Sequence, residues 1–303
     1  AGGLSGSSKG AVGAGIAINL MWNDSEAVID SSTVEAGSDV VVDATANETL
    51  VTVAIGGSGA GKFALGGAVA VAVVNNSVRA GITNDEEQES NATTGVHVSS
   101  GGALGVNASD SSTVVNIAGG FAGAGTTAVG ASVSTVYAGK EIEATIDGMT
   151  VDADGNVTVQ SGFSSPLSDD GLNQINDNLL GVSLDDVSGG QIVNLAIGGA
   201  ASGKTAGAAG IAVNVIDNDI TASIANGSDV TSNGQVTVAA ADRSVIDALA
   251  FGGAGSGSTA GGLAAGANVI ANHVTAEVTD SSVAAASNVS IAATSASIIR
   301  TLA

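Results

Sequence analysis

A double glycine that follows an apolar, alternating segment recurs five times along the chain. This internal repeat constrains the fold more than any other feature. The pairs are Gly2-Gly3, Gly56-Gly57, Gly119-Gly120, Gly198-Gly199 and Gly252-Gly253, with spacings of 54, 63, 79 and 54 residues. The base period is therefore 54 residues, and the second and third copies are longer. A chain built from copies of one unit is expected to stack those units into a single repeat domain.

The repeat predicts that residues 1–303 form one domain made of five copies. The copies span about residues 2–55, 56–118, 119–197, 198–251 and 252–303. The extra length of the second and third copies is assigned to insertions at about residues 83–93 and 164–189. The longer insertion contains the only proline, Pro166, and has apolar residues at helical spacing between Leu172 and Leu180. We therefore expect a short surface helix within it.

Within the copies, apolar residues alternate with small or polar ones, as in Ile16–Leu20, Val69–Val73 and Ile211–Val215. Such alternation predicts β-strands whose Val and Ile side chains, including Ile211, Val213 and Val215, point into a core. Corners that contain asparagine are expected where the alternation is interrupted, at Asn23, Asn76, Asn218 and Asn272. The pattern predicts an all-β fold, an elongated parallel β-solenoid.

The size of the repeat suggests how many coils this solenoid has. A 54-residue unit divides into two halves of about 27 residues, and each half is long enough for one coil. Five two-coil units then predict about ten coils, which form a rod of ~48 Å at ~4.8 Å per coil. Aromatic residues make up only 2 % of the chain, so Ala, Val and Ile must fill a narrow core.

The charge balance excludes two classes of partner. The chain has 7 Lys and Arg against 29 Asp and Glu, a formal net charge of −22. Nucleic acid and anionic membrane surfaces are excluded, because binding either requires clustered cations. No apolar run is long enough to span a membrane, so no membrane insertion of this segment is expected. There is no cysteine, as expected for a chain that crosses an oxidising compartment unfolded.

One motif resembles a nucleotide site. The segment from Gly198 to Thr205 matches the phosphate-loop pattern G-x-x-x-x-G-K-[ST], with Lys204 as its lysine. A phosphate loop requires a helix directly after it, whose N-terminal N–H groups bind the anion. Here a Gly/Ala run and a strand pattern follow, and the second copy has Lys62 at the same position. We therefore assign Lys204 to a repeated corner and reject it as a cofactor-binding residue.

The remaining candidates give no catalytic or metal site. The run from Asp152 to Asn156 resembles part of a calcium loop but lacks the other ligands, so a β-turn is expected and only weakly bound calcium stays open. His97 and His273 share no partner pattern, and without cysteine a transition-metal site is excluded. Trp22 is expected to be exposed and is a candidate sugar contact.

A carbohydrate-cleaving β-helix would need two carboxylates, or a carboxylate with Arg or Lys, on neighbouring coils. The seven cations are Lys9, Lys62, Arg79, Lys140, Lys204, Arg243 and Arg300. Three of these repeat one corner position, and no pair of catalytic type stands out. The chain is therefore predicted not to be an enzyme.

Repeats such as Thr33–Val42 and Met149–Val159 resemble those of giant bacterial filamentous adhesins of the haemagglutinin-like and leukotoxin-like type, which use type V secretion. The resemblance covers the whole chain and is carried by degenerate strand repeats. It implies a right-handed β-helix, export across the outer membrane, and a role in attachment or aggregation at the bacterial cell surface. No secretion-recognition domain or membrane barrel is evident in the sequence, so the export route is inferred from the resemblance alone.

Two functions stay open, and a third ranks far below them. The first is a structural spacer or stalk of a secreted fibre that mediates adhesion or cell–cell aggregation without catalysis. The second is a receptor- or glycan-binding module that uses the insertion at residues 164–189, and the third is a polysaccharide-active β-helix enzyme. Because the terminal copies look like interior ones, the expected partners are further repeats or identical chains stacked end to end. A host or neighbouring-cell surface is the other expected partner.

Overall fold

The structure of the protein is a computed structural model, which describes residues 1–84, 97–164 and 191–303. The described residues form 22 β-strands and no helix, and the strands of each sheet run parallel to one another. The chain is therefore an all-β parallel β-solenoid, as the repeat predicts. The helix expected within residues 164–189 lies outside the described residues, as does nearly all of the insertion at residues 83–93.

The strands form four sheets, and each sheet takes strands from successive turns of the solenoid. Sheet A contains β1 (Gly2–Ser7), β5 (Thr49–Ala60), β9 (Thr113–Ala124), β13 (Ile192–Ser202), β17 (Val245–Ser256) and β22 (Ile298–Leu302). Sheet B contains β2 (Gly10–Asp30), β6 (Phe63–Thr83), β10 (Thr127–Asp147), β14 (Thr205–Ala225), β18 (Thr259–Ile270) and β19 (His273–Val278). Sheet C contains β3 (Val34–Ala36), β7 (His97–Ser100), β11 (Thr150–Ala153), β15 (Asp229–Ser232) and β20 (Ser282–Ala285). Sheet D contains β4 (Val40–Ala46), β8 (Leu104–Asp110), β12 (Val157–Ser164), β16 (Val236–Arg243) and β21 (Val289–Ser295).

The chain passes through sheets B, C, D and A in turn and then returns to sheet B, so each repeat makes one coil. We number the coils 1 to 5 by their strand in sheet B. The prediction of two coils per repeat, and about ten in all, is wrong. The four strands β2, β6, β10 and β14 are each 21 residues long and take up the length that was assigned to a second coil. At ~4.8 Å per step the described coils stack over about 20 Å, not ~48 Å.

The strand register corrects the repeat alignment by one residue. The inward-facing glycines pair with one another across sheet A, and they are Gly3, Gly56, Gly120, Gly198 and Gly252. Side chains that touch between neighbouring coils show the same offsets of 53, 64, 78 and 54 residues. A slip of one residue exchanges the inside and outside of a strand. The double glycine therefore fixes the number of repeats but not which glycine of each pair faces inward.

At one end of each coil, sheets A and B form a thin two-layered arm, which we call the blade. It comprises residues 3–20, 54–73, 118–137, 196–215 and 250–269. Glycine and alanine face inward here, and a Cβ atom on Gly56 would lie only 1.7 Å from the carbonyl oxygen of Gly67 in the opposite sheet. The equivalent approach is 1.9 Å at Gly120 and 2.1 Å at Gly198. Stacked sheets usually lie about 10 Å apart, so the blade is much thinner than an ordinary sheet sandwich.

The other end of each coil is wider, and we call it the body. It consists of sheets C and D together with the C-terminal halves of the strands of sheet B. The larger apolar side chains are buried here, including Ile82, Leu104, Met149 and Phe163. Each fully buried side chain of this size contributes about 1.5–3 kcal/mol to the free energy of folding. The body therefore supplies the conventional hydrophobic core of the fold.

In the blade, the strands of sheet B point the opposite face inward to the one that the sequence predicts. Ile211, Val213 and Val215 lie on the outer face of sheet B and are partly exposed, whereas Ala212 and Asn214 are fully buried between the sheets. The prediction that Val and Ile line the core here is wrong. The physical reason is space, because the blade is too thin to hold a branched side chain between its two sheets.

Buried asparagine side chains donate hydrogen bonds between sheets A and B and between neighbouring coils. The amide of Asn194 in sheet A donates to the Oδ1 atom of Asn214 in sheet B at 2.6 Å, and Asn214 donates to Asn268 in the next coil at 2.7 Å. The amide of Asn116 donates to the carbonyl oxygen of Ala70 and to the Ser134 hydroxyl. Buried amides are tolerated when they are hydrogen-bonded, so these ladders lock the register of neighbouring coils.

Candidate functional site

A polar recess lies on the outer face of sheet B, where the blade meets the body. It is a cleft of about 440 Å³ that spans coils 1 to 4. Besides Tyr137, its outward-facing residues occupy two register rows: Trp22, Asn75, Gly139 and Asp217 in one, and Asp24, Ser77, Glu141 and Asp219 in the other. We call this recess the junction cleft.

Two aromatic side chains line the junction cleft. Trp22 is 64 % exposed, as expected from the sequence, and Tyr137 is 36 % exposed. A Cβ atom on Gly139 would lie 3.0 Å from the Tyr137 hydroxyl and 2.5 Å from the Oδ1 atom of Asn75. Glycine at position 139 therefore leaves room for the tyrosine ring and the asparagine amide to lie over the backbone. Exposed aromatic rings beside an amide are groups that contact sugars or flat cations.

Four carboxylates surround these rings: Asp24, Glu141, Asp217 and Asp219. Glu141 of coil 3 lies directly beside Asp219 of coil 4 in the strand register. Their negative field disfavours an anionic ligand in the cleft and favours a neutral or cationic one.

A ladder of alternating charge runs beside the cleft on the same face of sheet B. The Nη1 atom of Arg79 in coil 2 lies 3.2 Å from the Oε1 atom of Glu26 in coil 1, and its Nε atom lies 3.4 Å from the Oε2 atom of Glu143 in coil 3. Burial raises the pKa of Glu143, while the Arg79 guanidinium opposes that rise. No such pair stands out in the sequence alone, and it is the strand register that brings Arg79 beside Glu26 and Glu143. Arg79 is shared between two carboxylates, so it cross-links three coils.

A second ionic pair is buried behind the cleft, inside the solenoid. The Lys140 ammonium donates to the Asp110 carboxylate, and the two side chains are 1 % and 0 % exposed. The Lys140 Nζ atom also lies 4.6 Å from the centre of the Phe163 ring. Burial lowers the pKa of Lys140, and the neighbouring Asp110 carboxylate opposes that shift. A fully desolvated pair of this kind requires both partners, because either charge alone would be left uncompensated.

The same inward position carries asparagine in the other coils, so the repeat pattern alone does not reveal the pair. Asn76 lies beside Lys140 in sheet B, and Asn218 lies on its other side. The amide of Asn76 donates to Asp110 at 2.7 Å and to the Ser112 hydroxyl at 2.9 Å. These asparagines were expected at corners, but Asn76 and Asn218 lie within 21-residue strands with their side chains buried. The departure from asparagine at position 140 is the sequence signal that could have found the site.

The structure places Lys204 at the turn between β13 and β14. Its backbone N–H donates to the Thr126 carbonyl of coil 3, and that of Lys62 donates to the Lys9 carbonyl of coil 1. The predicted corner position, shared by Lys9, Lys62 and Lys204, is confirmed. A 21-residue strand follows Lys204, so the helix that a phosphate loop requires does not follow this lysine.

The calcium-like run forms a turn between sheets C and D. The Asn156 Oδ1 atom accepts a hydrogen bond of 2.9 Å from the Gln235 backbone N–H in coil 4. The Asp154 carboxylate accepts from the Asn233 amide at 3.0 Å. These oxygens connect successive coils. The described parts of the chain contain no group of three or more His, Cys, Asp or Glu that could hold a metal ion.

The two histidines lie in different sheets. The Nε2 atom of His97 in sheet C is 3.7 Å from the Oε1 atom of Glu35 in coil 1. His273 lies in sheet B, where it is paired in register with Asp219 at the edge of the junction cleft. The structure therefore does not bring the two histidines together.

No family model, curated protein or solved structure matches the chain. The class of protein is therefore defined by its fold, a parallel β-solenoid with one coil per repeat. Across residues 1–84, 97–164 and 191–303, no helix is long and apolar enough to cross a membrane.

Proposed function

We propose that the chain is a structural spacer, a stalk segment of a secreted fibre at the bacterial cell surface that mediates adhesion or cell–cell aggregation without catalysis. The observation that carries this proposal is the strand register. Strands from successive coils pair residue by residue in all four sheets, so coils can be added without changing those already present. Such a fold converts repeat number directly into length.

The way in which coils cover one another supports stacking as the means by which the fibre grows. Val236 and Val238 of coil 4 are fully buried, and their register partners in sheet D are Val289 and Ile291 of coil 5. In a solenoid the apolar surface of one coil is buried by the next coil. The partners we propose are further repeats or identical chains stacked end to end. The resemblance of the repeats to those of filamentous adhesins supports the extracellular location.

Duplicating one coil tests the spacer function. A second copy of residues 205–258 inserted after Ser258 should fold in register and lengthen the stack by ~4.8 Å. In a bacterial surface display assay, aggregation should survive this insertion, and it should also survive deletion of residues 165–189. Loss of aggregation on that deletion alone would assign the activity to the insertion and contradict a spacer. Failure of the duplicated coil to fold would contradict modular growth.

Glycan binding at the junction cleft is the second candidate, and the exposure of Trp22 beside Tyr137 is the observation that favours it. Trp22 is the only tryptophan, so its fluorescence reports on this cleft alone. Titration with neutral oligosaccharides should shift the emission, and the shift should be lost in Tyr137→Ala. No saturable change with neutral or cationic sugars would remove this candidate while leaving the spacer untouched.

A further inference from the structure

The outer face of the blade in sheet B is an uncharged apolar surface that the spacer function leaves without a role. Outward-facing residues alternate with buried ones along each strand. The exposed or half-exposed apolar members are Ile16, Ile18, Leu20, Val69, Val71, Val73, Val133, Tyr137, Ile211, Val213, Val215, Leu263 and Val269. We call this surface the blade face.

The blade face is free of charge in a chain whose net charge is −22. No Asp, Glu, Lys or Arg occurs in residues 10–22, 63–75, 127–139, 205–216 or 259–270, which carry the face through all five coils. Like charge would repel two copies that met at most other surfaces. The blade face is therefore a surface on which two copies of the chain can approach each other closely.

The size of the blade face matches that of a stable interface. Twelve residue steps of ~3.3 Å along the strands and five strands at ~4.8 Å give a surface of about 40 by 24 Å, or roughly 950 Å². Monomeric proteins rarely expose apolar patches larger than a few hundred Å². A standard interface buries about 800 Å² on each partner.

Opposite charges border the two ends of the blade face. Lys9, Lys62 and Lys204 lie at the turn where the blade begins, and all three are exposed. None of them forms a salt bridge with another described residue. At the other end lie the four carboxylates of the junction cleft, Asp24, Glu141, Asp217 and Asp219. The face is thus an apolar strip with a cationic rim and an anionic rim.

We propose that two copies of the chain pair laterally through their blade faces, about a two-fold axis parallel to the stack of coils. This axis makes the strands of the two copies antiparallel and places the lysine rim of each copy over the carboxylate rim of its partner. A two-fold axis parallel to the strands would place lysines over lysines and carboxylates over carboxylates. The charges therefore select the first arrangement, in which coil 2 faces coil 2 and aligned sheet packing buries the apolar strip.

Lateral pairing goes beyond the spacer function, and it produces a different assembly state from end-to-end stacking. Stacking of coils end to end is open-ended, whereas lateral pairing closes at two copies. A closed dimer that persists when end-to-end growth is blocked would support the inference even if the spacer proposal failed. Open-ended growth without a closed dimer would support only the spacer proposal.

The first test is the mass in solution of the full chain and two matched variants. Ile18→Glu places a charge on the blade face, and Val41→Glu places one on the outer face of sheet D; the two native side chains are 62 % and 66 % exposed. At roughly 100 µM, well above the Kd typical of an interface this size, the wild type and Val41→Glu should have twice the mass of Ile18→Glu, whether or not the chains also stack end to end. All three should give the same circular dichroism spectrum.

The inference is overturned if the wild type is monomeric at that concentration, or if Ile18→Glu dimerises as strongly as Val41→Glu. Vesicles of zwitterionic lipid provide a further outcome. A monomeric wild type that floats with such vesicles, while Ile18→Glu does not, would assign the blade face to a lipid surface instead of a second copy.

The second test is the orientation of the two copies, and it is simplified because the chain has no cysteine. A mixture of Lys62→Cys and Asn75→Cys copies should form a disulfide-linked heterodimer, because the proposed axis brings opposite ends of the face together. The other two-fold axis would bring coil 2 over coil 4. Cross-linking between Lys62→Cys and Lys204→Cys copies, with none between Lys62→Cys and Asn75→Cys, would refute the proposed axis.

Discussion

The thinness of the blade can be tested by adding one methyl group on either side of a single strand. Gly56 and Gly59 both lie in β5, and neither has a positive φ angle, so alanine fits the backbone conformation at each. A Cβ atom at Gly56 would lie 1.7 Å from the Gly67 carbonyl oxygen and 2.6 Å from its carbonyl carbon. A Cβ atom at Gly59 would have no neighbour within 4 Å.

The clash at Gly56 is between backbones, so no side-chain rotation can relieve it. Sheets A and B must separate by roughly 1 Å, and a gap of that size forfeits a quarter to a half of each contact across it. Overpacking typically costs ~1–3 kcal/mol, and a rigid backbone neighbour places Gly56→Ala at the upper end or above. Gly59→Ala should instead stabilise by ~0.4–1 kcal/mol, because alanine reduces the entropy of the unfolded chain.

The assay is urea unfolding of Gly56→Ala, Gly59→Ala and the wild type, followed by circular dichroism. The two variants should differ by about 3.5 kcal/mol, which is more than a hundredfold in the folding equilibrium. Coil 3 offers an independent pair, because a Cβ at Gly120 would lie 1.9 Å from the Ala131 carbonyl oxygen and one at Gly123 would meet nothing. If both inward variants unfold within ~1 kcal/mol of their outward controls, the two sheets are not in backbone contact.

Three further changes probe the interior. Asn214→Asp buries a carboxylate without a counter-ion and should lower the free energy of unfolding by ~3–5 kcal/mol, whereas Val213→Asp, on the outer face, should lower it by about 1 kcal/mol. Urea unfolding below 1 µM measures both values without any effect of dimer formation. The reverse order would contradict the assignment of inside and outside. Lys140→Met should cost ~3–5 kcal/mol by stranding the buried carboxylate, and adding Asp110→Asn should recover much of it in a double-mutant cycle; additive losses would show no coupling. Burial raises the folded pKa of Glu143 above its usual 4.5. The folded protein therefore holds this proton at pH values where the unfolded chain has lost it. The contribution of Glu143 to stability thus falls as pH rises through that window. Glu143→Gln should flatten this fall in the unfolding midpoint, and identical pH profiles would refute it.

The repeat made the fold class predictable because stacked coils require equivalent residues at equal intervals. The same intervals placed Lys9, Lys62 and Lys204 at one corner, which the structure confirms. The number of coils could not be obtained this way. Strands in globular proteins are usually 3–10 residues long, so a 54-residue unit predicts more and shorter strands than the 21-residue strands of sheet B.

The inward face of the blade was mispredicted because both faces of these strands are free of charge. In Ile211 to Val215, branched residues alternate with Ala212 and Asn214, and burial normally favours the larger apolar side chain. The decisive quantity is the distance between the sheets, which the glycines of the facing strand set. A sequence pattern within one strand does not contain that distance.

The buried pair of Lys140 and Asp110 was hidden for a different reason. The two residues are 30 positions apart and belong to different coils, so only the register brings them together. The junction cleft has the same origin, since Trp22 and Tyr137 come from coils 1 and 3. Sites formed between coils require the register to within one residue, and the double glycine gave an alignment that was off by one.

Acidic residues are scattered along the sequence because like charges at equivalent positions of neighbouring coils would repel each other. The same repulsion should act in the duplicated coil. Equivalent side chains of neighbouring coils lie ~4.8 Å apart, where two like charges cost about 0.9 kcal/mol in water and about 3.5 kcal/mol at an effective dielectric constant of 20. The row of Asp24 accordingly reads Asp24, Ser77, Glu141, Asp219 and His273, with only Glu141 and Asp219 as adjacent like charges. Burial is the main cause of the raised pKa of nearby Glu143, and both of these carboxylates add to it.

An exact duplicate of residues 205–258 would stack Asp217 on Asp217 and Asp219 on Asp219. A duplicate that carries Asp217→Asn and Asp219→Ser, the residues that coil 2 has at Asn75 and Ser77, removes both repulsions without changing the backbone. It should unfold at a higher urea concentration than the exact duplicate, by about 1–2 kcal/mol for two screened surface pairs, and the gap should shrink as salt is added. Equal stability of the two duplicates at low salt would show that neighbouring coils do not constrain each other's charges, and the scatter of the acids would then need another cause.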